Sequence, residues 1–147
     1  MVDFNLESID RLTDHHVDEL LQLYRQTAWW GRHRQRTDLE QMLAHTSLVI
    51  GFQEADTQRL VAFCRLLSDG VYRATVYDVM VAVDYQGQGL GRRLMDAVVT
   101  HPQLQQVEHV DLNCLPEMMP FYRKFGFQLI TQVQLMRWIP GAAGGDS

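Results

Sequence analysis

The stretch DYQGQGLGRRLM, residues 84–95, places three glycines within five positions directly before an apolar segment with helical spacing. Glycine is costly near a helix start unless the backbone needs left-handed angles or a close approach by another molecule. The first turn of a helix offers unpaired N–H groups and the positive end of its dipole. We therefore predict that this loop binds the phosphates of a ligand, with Arg92 and Arg93 adding positive charge.

The loop fits neither of the two common nucleotide-binding patterns. A P-loop requires Lys followed by Ser or Thr after its last glycine, and no such pair follows Gly91. The Rossmann fingerprint GxGxxG follows the first strand of its domain, whereas GxGxG at residues 87–91 lies past the middle of this chain. On the loop alone, a glycine-rich turn without a ligand remains the alternative.

Two further groups of residues could take part in chemistry. Asp78 interrupts the apolar, β-branched run ATVYDVMVAV, and a buried carboxylate is unfavourable unless it is paired or functional. Its pairing partner would be Arg65 or Arg73. Trp29, Trp30 and His33 lie between two predicted helices, and aromatic faces bind cationic or aromatic amines. The alternative for the tryptophans is one ring in the core and the other covering the surface.

The composition limits the classes of ligand and partner. The net charge is −5, with 46% apolar and 21% charged residues, which favours a globular protein and argues against nucleic acid as a partner. The spacing of Cys64, Cys114 and the six histidines predicts neither a disulfide scaffold nor a metal site. We find no signal peptide and no membrane-span pattern, so we expect a cytoplasmic protein without a membrane partner.

Hydrophobic periodicity predicts strands and helices in mixed order. Strands are predicted at FNLESI, SLVIGFQ, LVAFCRLL, ATVYDVMVAV and HVDLNCL, with FQLI and VQLMRWI as a final pair. Helices are predicted after Thr13 or Asp14, from Thr37 to His45 with Thr37 or Asp38 as cap, at LGRRLMDAVVTH and at MPFYRKFGF. This order predicts one α/β domain over residues 1–140, with a central, mixed, mostly antiparallel twisted sheet, about four flanking helices, and a flexible tail at 141–147.

Two motifs in register give a specific resemblance. VAVDYQGQGLG, residues 81–91, resembles the signature Q/R-x-x-G-x-G/A of the GNAT superfamily of acyl-CoA-dependent N-acyltransferases, met here by Gln86, Gly89 and Gly91. FYRKFGF, residues 121–127, resembles the FYxxxGF helix end of the same family. A predicted strand separates the motifs, as in the family, and the predicted element order agrees along nearly the whole chain.

The resemblance implies where acetyl-CoA, the expected cosubstrate, binds. Backbone N–H groups between Gln86 and Arg92 would hold the pyrophosphate of coenzyme A, at the positions Gln86, Gly87, Gln88, Gly89, Leu90, Gly91 and Arg92. The strand containing Val81, Ala82 and Val83 would pair with the pantetheine arm, and the N–H near Val81 would polarise the thioester carbonyl. The family commonly has Asn seven residues before the helix tyrosine. Leu115 stands there instead, and Asn113 is its nearest substitute.

The resemblance also assigns the chemistry. Tyr122 corresponds to the family's general acid, and Asp78 lies at a position that often carries a base, so base and structural partner of an arginine both remain open for Asp78. The stretch from LYRQTAWW through FCRLLSDGVYRATVYDVMV is similar to a bacterial and plastid branch that includes arylalkylamine acetyltransferase-like proteins. We therefore expect acetyl transfer to a small primary amine by direct attack in a ternary complex, with Trp29, Trp30 and His33 at the acceptor.

Two other functions stay open: a non-catalytic acyl-CoA-binding sensor, and an acetyltransferase acting on a protein lysine or N-terminus. The C-terminal strands are compatible with a homodimer, because many family members dimerise through paired sheets there.

Overall fold

The computed structural model describes residues 5–141, which form five strands and four helices. In chain order these are β1 (Leu6–Ile9), α1 (Asp14–Thr27), α2 (Arg36–Ala44), β2 (Leu48–Glu54), β3 (Leu60–Ser68), β4 (Arg73–Val81), α3 (Leu90–Val99), β5 (His109–Leu112) and α4 (Met119–Arg123). Single 3-10 turns lie at Trp29–Gly31, Val83–Tyr85, Pro102–Leu104 and Pro116–Met118. None of the helices in these residues is long and apolar enough to cross a membrane.

The strands form one sheet in the order β1-β2-β3-β4-β5. The first four strands pair antiparallel, and β5 pairs parallel to β4. The sheet is therefore mixed and mostly antiparallel, with four helices, as the sequence predicted. The β4–β5 pairing is short: it runs from Arg73↔His109 to Val76↔Leu112. The second half of β4 consequently has no neighbour on the β5 side in the described chain.

A β-bulge interrupts β4 in this second half. Phe63 of β3 pairs with Met80 and Arg65 pairs with Tyr77, so two residues of β4, Asp78 and Val79, lie opposite the single residue Cys64. Asp78 has φ 59°, a left-handed angle that non-glycine residues rarely adopt. At the bulge, the Asp78 side chain contacts Tyr24 of α1 and Arg65 of β3.

The core lies where α1 and α3 pack on the central strands β3 and β4. Apolar residues at helical spacing bury one face of each helix, which accounts for the predicted helices: Leu20, Leu23 and Tyr24 in α1, and Leu90, Leu94 and Val98 in α3. The central strand β3 is buried over most of its length. These packed elements fix the positions of the loops that follow β4 and β5.

The predicted start of α2 is wrong by one residue. The helix begins at Arg36 with Gln35 as its N-cap, and no side chain caps it, whereas Thr37 or Asp38 was predicted as the cap. The Arg36 guanidinium bonds Asp18 of α1 and lies 3.1 Å from Glu40 one turn later. Ion pairs rather than a cap therefore secure the first turn.

The two predicted C-terminal strands are absent from the described chain. Residues 127–139, which contain FQLI and VQLMRWI, form no helix or strand, and all of them except the half-buried Phe127 are exposed. An alternating apolar pattern becomes a strand only where a neighbouring strand supplies hydrogen bonds. No other segment of residues 5–141 pairs with these residues. Of the predicted flexible tail, residues 142–147 lie outside the described part.

Candidate active site

The glycine loop between β4 and α3 has an open backbone. Gly87 has φ 78° and Gly89 has φ 88°, and a β-carbon at either position would meet no atom within 4 Å. Gly89 is the N-cap of α3, and no side chain caps the helix. Both glycines are therefore needed for the backbone angles, and no side chain caps the N–H groups in the first turn of α3.

Polar side chains hold the entry to this loop. The Gln86 amide donates to the Val81 carbonyl oxygen at 3.1 Å, and the Gln88 amide donates to the Asp84 carbonyl oxygen at 3.4 Å. Both carboxylate oxygens of Asp84 accept from Arg59, at 2.7 and 2.8 Å. The predicted site residues Gln86 and Gln88 thus shape the loop with their side chains.

The start of α3 is fixed by packing. Leu90 is buried in the core. A β-carbon at Gly91 would lie 3.5 Å from the Phe121 ring, so a longer side chain would press on α4. Arg92 is exposed. The Arg93 guanidinium, by contrast, lies 4.6 Å from the centre of the Phe52 ring, so of the two arginines this one packs on the protein.

The pairing of β4 with β5 stops at Val76↔Leu112, so residues 77–81 of β4 have no strand neighbour on the β5 side within the described part of the chain. On the β3 side, hydrogen bonding continues one residue beyond β4, where Ala82 donates its N–H to the Val61 carbonyl at 2.8 Å. Val83 lies outside the strand, in an exposed 3-10 turn, so the predicted strand residue belongs to the loop. Asn113 is exposed just beyond β5, which ends earlier than predicted.

Tyr122 projects from α4 and is half-buried. Burial raises the pKa of Tyr122 to about 12, with smaller contributions from the nearby thiols of Cys114 and Cys64. Its phenol is therefore protonated at neutral pH and able to donate a proton. Burial likewise raises the pKa of Cys64 to about 12, which leaves this thiol a poor nucleophile.

Asp78 is the centre of a polar cluster. Its side chain is 5% exposed, and Oδ2 accepts from the Tyr24 hydroxyl at 2.6 Å, from Arg65 Nε at 2.7 Å and from Arg34 at 3.4 Å. Of the two predicted arginine partners, Arg65 is present in the cluster. Oδ1 accepts no hydrogen bond from the described residues. The pairing that the sequence predicted as one alternative is thus present, while the role as base is a separate question.

Arg34 and Tyr24 belong to this site and were not predicted. The Arg34 guanidinium carbon lies 4.5 Å from the centre of the Tyr24 ring and 4.9 Å from that of Trp30. Tyr24 has the spacing of an ordinary core residue of α1, so nothing in the sequence marks its hydroxyl. Arg34 follows Trp30 by four residues, and an aromatic–arginine pair at that spacing was the available signal.

The predicted acceptor residues lie in the segment that leads into this cluster. Trp30 is 46% exposed and Trp29 is 72% exposed, both in the 3-10 turn after α1. These exposures place neither ring in the core. Trp30 packs edge-on against the buried Tyr24 ring, and Trp29 faces outward. His33 is exposed in the following turn. Trp30 is thereby joined to Asp78 through Arg34.

One group of side chains has the composition of a metal site, although the sequence predicted none. His15, His16 and Glu19 bring one potential metal-ligating atom each within 4.8 Å of one another. These atoms already have partners, however. His16 Nδ1 accepts the Thr13 N–H at 3.0 Å, and Glu19 accepts the Leu60 N–H at 3.1 Å. The cluster therefore anchors the start of α1 to the β2–β3 hairpin.

Comparison with known proteins agrees with this arrangement. The family model of the acetyltransferase (GNAT) domain matches residues 13–142. The chain is 34% identical to the uncharacterized N-acetyltransferase ycf52 of Porphyra purpurea, over 74% of the chain and 63% of the relative. It is 37% identical to the chloroplastic serotonin N-acetyltransferase 2 of Oryza sativa subsp. japonica, over 65% of the chain and 49% of the relative. The chain thus spans about half to two thirds of these relatives.

A crystal structure supports the same assignment. An acetyltransferase of the GNAT family from Xanthomonas campestris pv. campestris superposes with a TM-score of 0.74 at 27% identity, over 92% of this chain and 95% of that one. The glycine loop, the unpaired half of β4 and the helix carrying Tyr122 are thus parts of a GNAT-like fold, in a family whose general cosubstrate is acetyl-CoA. The chain belongs to the GNAT acetyltransferases.

Proposed function

We propose that the protein transfers an acetyl group from acetyl-CoA to the primary amine of a small molecule, by direct attack in a ternary complex. The observation that carries this proposal is the second half of β4, residues 77–81, which β5 leaves unpaired. The glycine loop follows β4, and the helix carrying a protonated Tyr122 follows β5. Acetyl-CoA supplies an activated acetyl thioester, and every other task falls to residues of this chain.

The glycine loop would bind the pyrophosphate. The N–H groups between Gln86 and Arg92 include the uncapped first turn of α3, and the open space around Gly87 and Gly89 lets phosphate oxygens approach. The backbone of Val81, next to the unpaired half of β4, would bind the pantetheine amides as an added strand would. Its N–H would also stabilise negative charge on the thioester oxygen. Asn113, exposed just beyond β5, would contact the same arm.

Tyr122 would act as the general acid. The departing thiolate needs a proton, and a phenol whose pKa is raised to about 12 is protonated at neutral pH. Neither cysteine is needed as a covalent intermediate. Cys64 is fully buried with its own pKa raised to about 12, which disfavours the thiolate.

The cluster around Asp78 would receive the acceptor. Trp30 and Trp29 offer exposed aromatic surface next to it, and His33 lies in the following turn. Asp78 would take the amine proton, directly or through water, using Oδ1, since Oδ2 is shared by three donors. The relative named a serotonin N-acetyltransferase favours an aromatic small amine over other acceptors. The cytoplasmic location expected from the sequence stays a prediction.

A screen of CoA release tests this function. The protein is incubated with acetyl-CoA and, separately, with arylalkylamines, aliphatic amines and lysine-containing peptides. We expect turnover with one or more small amines. Turnover with peptides alone would overturn the small-molecule acceptor in favour of a protein acceptor. A thermal shift with CoA but no turnover with any amine would favour the acyl-CoA sensor.

A further inference from the structure

The cluster around Asp78 carries more positive than negative charge. Its one carboxylate, that of Asp78, is paired with two guanidinium groups, Arg65 Nε at 2.7 Å and Arg34 Nη1 at 3.4 Å. The third donor, the Tyr24 hydroxyl, is neutral, because burial and the adjacent Asp78 carboxylate raise its pKa. Arginine stays charged at neutral pH. These four side chains together therefore have one positive charge that no carboxylate among them balances.

Arg34 is the member of this pair of arginines that reaches the surface. Its side chain is 31% exposed, compared with 12% for Arg65. Arg34 Nη1 donates to Asp78 and to the Met42 sulfur at 3.6 Å. Its Nε and Nη2 groups donate to no residue between 5 and 141. The guanidinium presents its N–H donors in a planar fork, so this side of the fork is available to an anion.

Two aromatic rings hold the Arg34 guanidinium in place. Its central carbon lies 4.5 Å from the centre of the Tyr24 ring and 4.9 Å from that of the Trp30 ring. A guanidinium that is already oriented by stacking loses less freedom when it forms a bidentate contact with a carboxylate. The exposed surface of Trp30 and Trp29 lies in the turn just before it in the chain. An anion site and an aromatic surface thus lie side by side.

We propose, on the basis of the acetyl transfer proposed above, that the acceptor is an α-amino acid with an aromatic side chain, and that Arg34 binds its carboxylate. An α-amino acid carries its amine and its carboxylate on the same carbon. Asp78 and Arg34 place the two complementary charges 3.4 Å apart. The amine contacts Asp78 Oδ1, the carboxylate contacts Nε and Nη2 of Arg34, and the aromatic side chain packs on Trp30.

The charge of the cluster favours such an acceptor over a simple amine. The bound carboxylate balances the extra positive charge, whereas an amine without a carboxylate brings a further positive charge to it. The carboxylate takes no part in the bond changes. The neutral α-amine forms the N–C bond to the acetyl carbon as the C–S bond breaks, one amine proton goes to Asp78, and the thiolate receives a proton from Tyr122. Arg34 is therefore a specificity-determining residue.

Calorimetry on the protein saturated with CoA tests the carboxylate site without any turnover. L-tryptophan is compared with L-tryptophanamide, which has the same ring and amine but no carboxylate. We expect the wild-type protein to bind L-tryptophan with a Kd about tenfold lower, because hydrogen bonds between two charged groups are the stronger ones. Equal affinity for the two ligands, or no binding of L-tryptophan, would overturn the proposal.

Arg34→Gln should remove this preference while its affinity for L-tryptophanamide changes little. Arg32→Gln is the matched control, because it removes the same charge from an exposed side chain of the same segment, and it should keep the preference. Circular dichroism checks that both variants are folded. A preference that survives Arg34→Gln, or that is lost equally in Arg32→Gln, would overturn the role of Arg34.

CoA release with L-tryptophan, L-tryptophanamide and tryptamine separates this proposal from the acetyl transfer on which it rests. We expect the highest kcat/KM with L-tryptophan, and loss of that advantage in Arg34→Gln. A higher kcat/KM with tryptamine in the wild-type protein would overturn the amino-acid acceptor and leave the acetyl transfer intact. Arg34-dependent binding of L-tryptophan without turnover of any amine would support the carboxylate site and overturn the acetyl transfer.

Discussion

The hydroxyl of Tyr24 donates a 2.6 Å hydrogen bond to Oδ2 of Asp78, across 54 residues of sequence. This bond joins α1 to the bulge of β4, and Arg65 of β3 completes the contact at 2.7 Å. Burial and the adjacent Asp78 carboxylate raise the pKa of Tyr24, so its phenol is protonated and donates. The left-handed backbone of Asp78 is thus held in place by partners from separate elements.

Asp78→Asn should destabilise the fold. It removes the charge that faces Arg65, whose side chain is only 12% exposed, and breaking one partner of a buried ion pair costs about 3 kcal/mol. Urea denaturation measures the change. Asp84→Asn is the control, since the exposed Arg59–Asp84 pair should contribute less than about 1 kcal/mol. Equal losses in the two variants would contradict a structural role for the Asp78 cluster.

Tyr122→Phe should lower kcat by about 10²-fold or more, because general acid catalysis typically contributes 10²–10⁴-fold. The KM for acetyl-CoA should change little, since only the hydroxyl is removed from a packed ring. Steady-state kinetics with the best amine of the screen gives both values. Tyr72→Phe, at an exposed tyrosine in the β3–β4 turn, should behave like wild type. An unchanged kcat in Tyr122→Phe would exclude this residue as the acid.

Gly89→Ala should weaken the binding of CoA. The variant places a β-carbon at a left-handed residue of the loop, at a backbone cost of about 1–2 kcal/mol, and fills part of the open space through which phosphate oxygens would approach. We expect about a tenfold higher Kd by calorimetry, which corresponds to ~1.4 kcal/mol.

Gly70→Ala is the control for this substitution. Gly70 has φ 78° and similar open space, but it lies in the β3–β4 turn. It should show a similar loss of stability with an unchanged Kd for CoA. A matching rise in Kd in the control would mean that backbone strain, rather than the loop, governs binding.

The free energy of unfolding should fall as pH rises above about 9. The pKa of Cys64 is raised from 9.0 to about 12 in the folded state, so between these values the unfolded thiol ionises while the folded one keeps its proton. The unfolded state then binds fewer protons, and stability decreases with pH. Urea denaturation at pH 8 and pH 10.5 should show a smaller decrease in Cys64→Ala than in wild type. Cys114→Ala, at an exposed thiol, should keep the wild-type decrease.

The fold was predictable where the pattern is local. The periodicity of α1 and α3 follows from burial of one helix face, and β4 is marked by its β-branched run. The glycine loop was predictable because positive φ angles at Gly87 and Gly89 require glycine. These features depend on a few neighbouring residues, and the sequence contains them directly.

The predictions that failed concern features that depend on contacts between residues far apart in the sequence. Asp78 stood out as a carboxylate in an apolar run, but its bond to Tyr24 depends on how α1 crosses the sheet. The final segments have the alternating pattern of strands, yet a strand also needs a hydrogen-bonded neighbour, and no strand of the described chain pairs with them. The start of α2 was misplaced because the ion pair of Arg36 with Asp18 takes the place of a cap.

The early end of the β4–β5 ladder has a consequence for selectivity. If the free half of β4 binds coenzyme A as proposed, its main-chain groups would recognise the amides of the pantetheine arm, which every acyl-CoA shares. Such recognition would not distinguish acyl chains of different length. Discrimination between acetyl and longer acyl groups would then depend on the side chains around the acyl group and not on the strand.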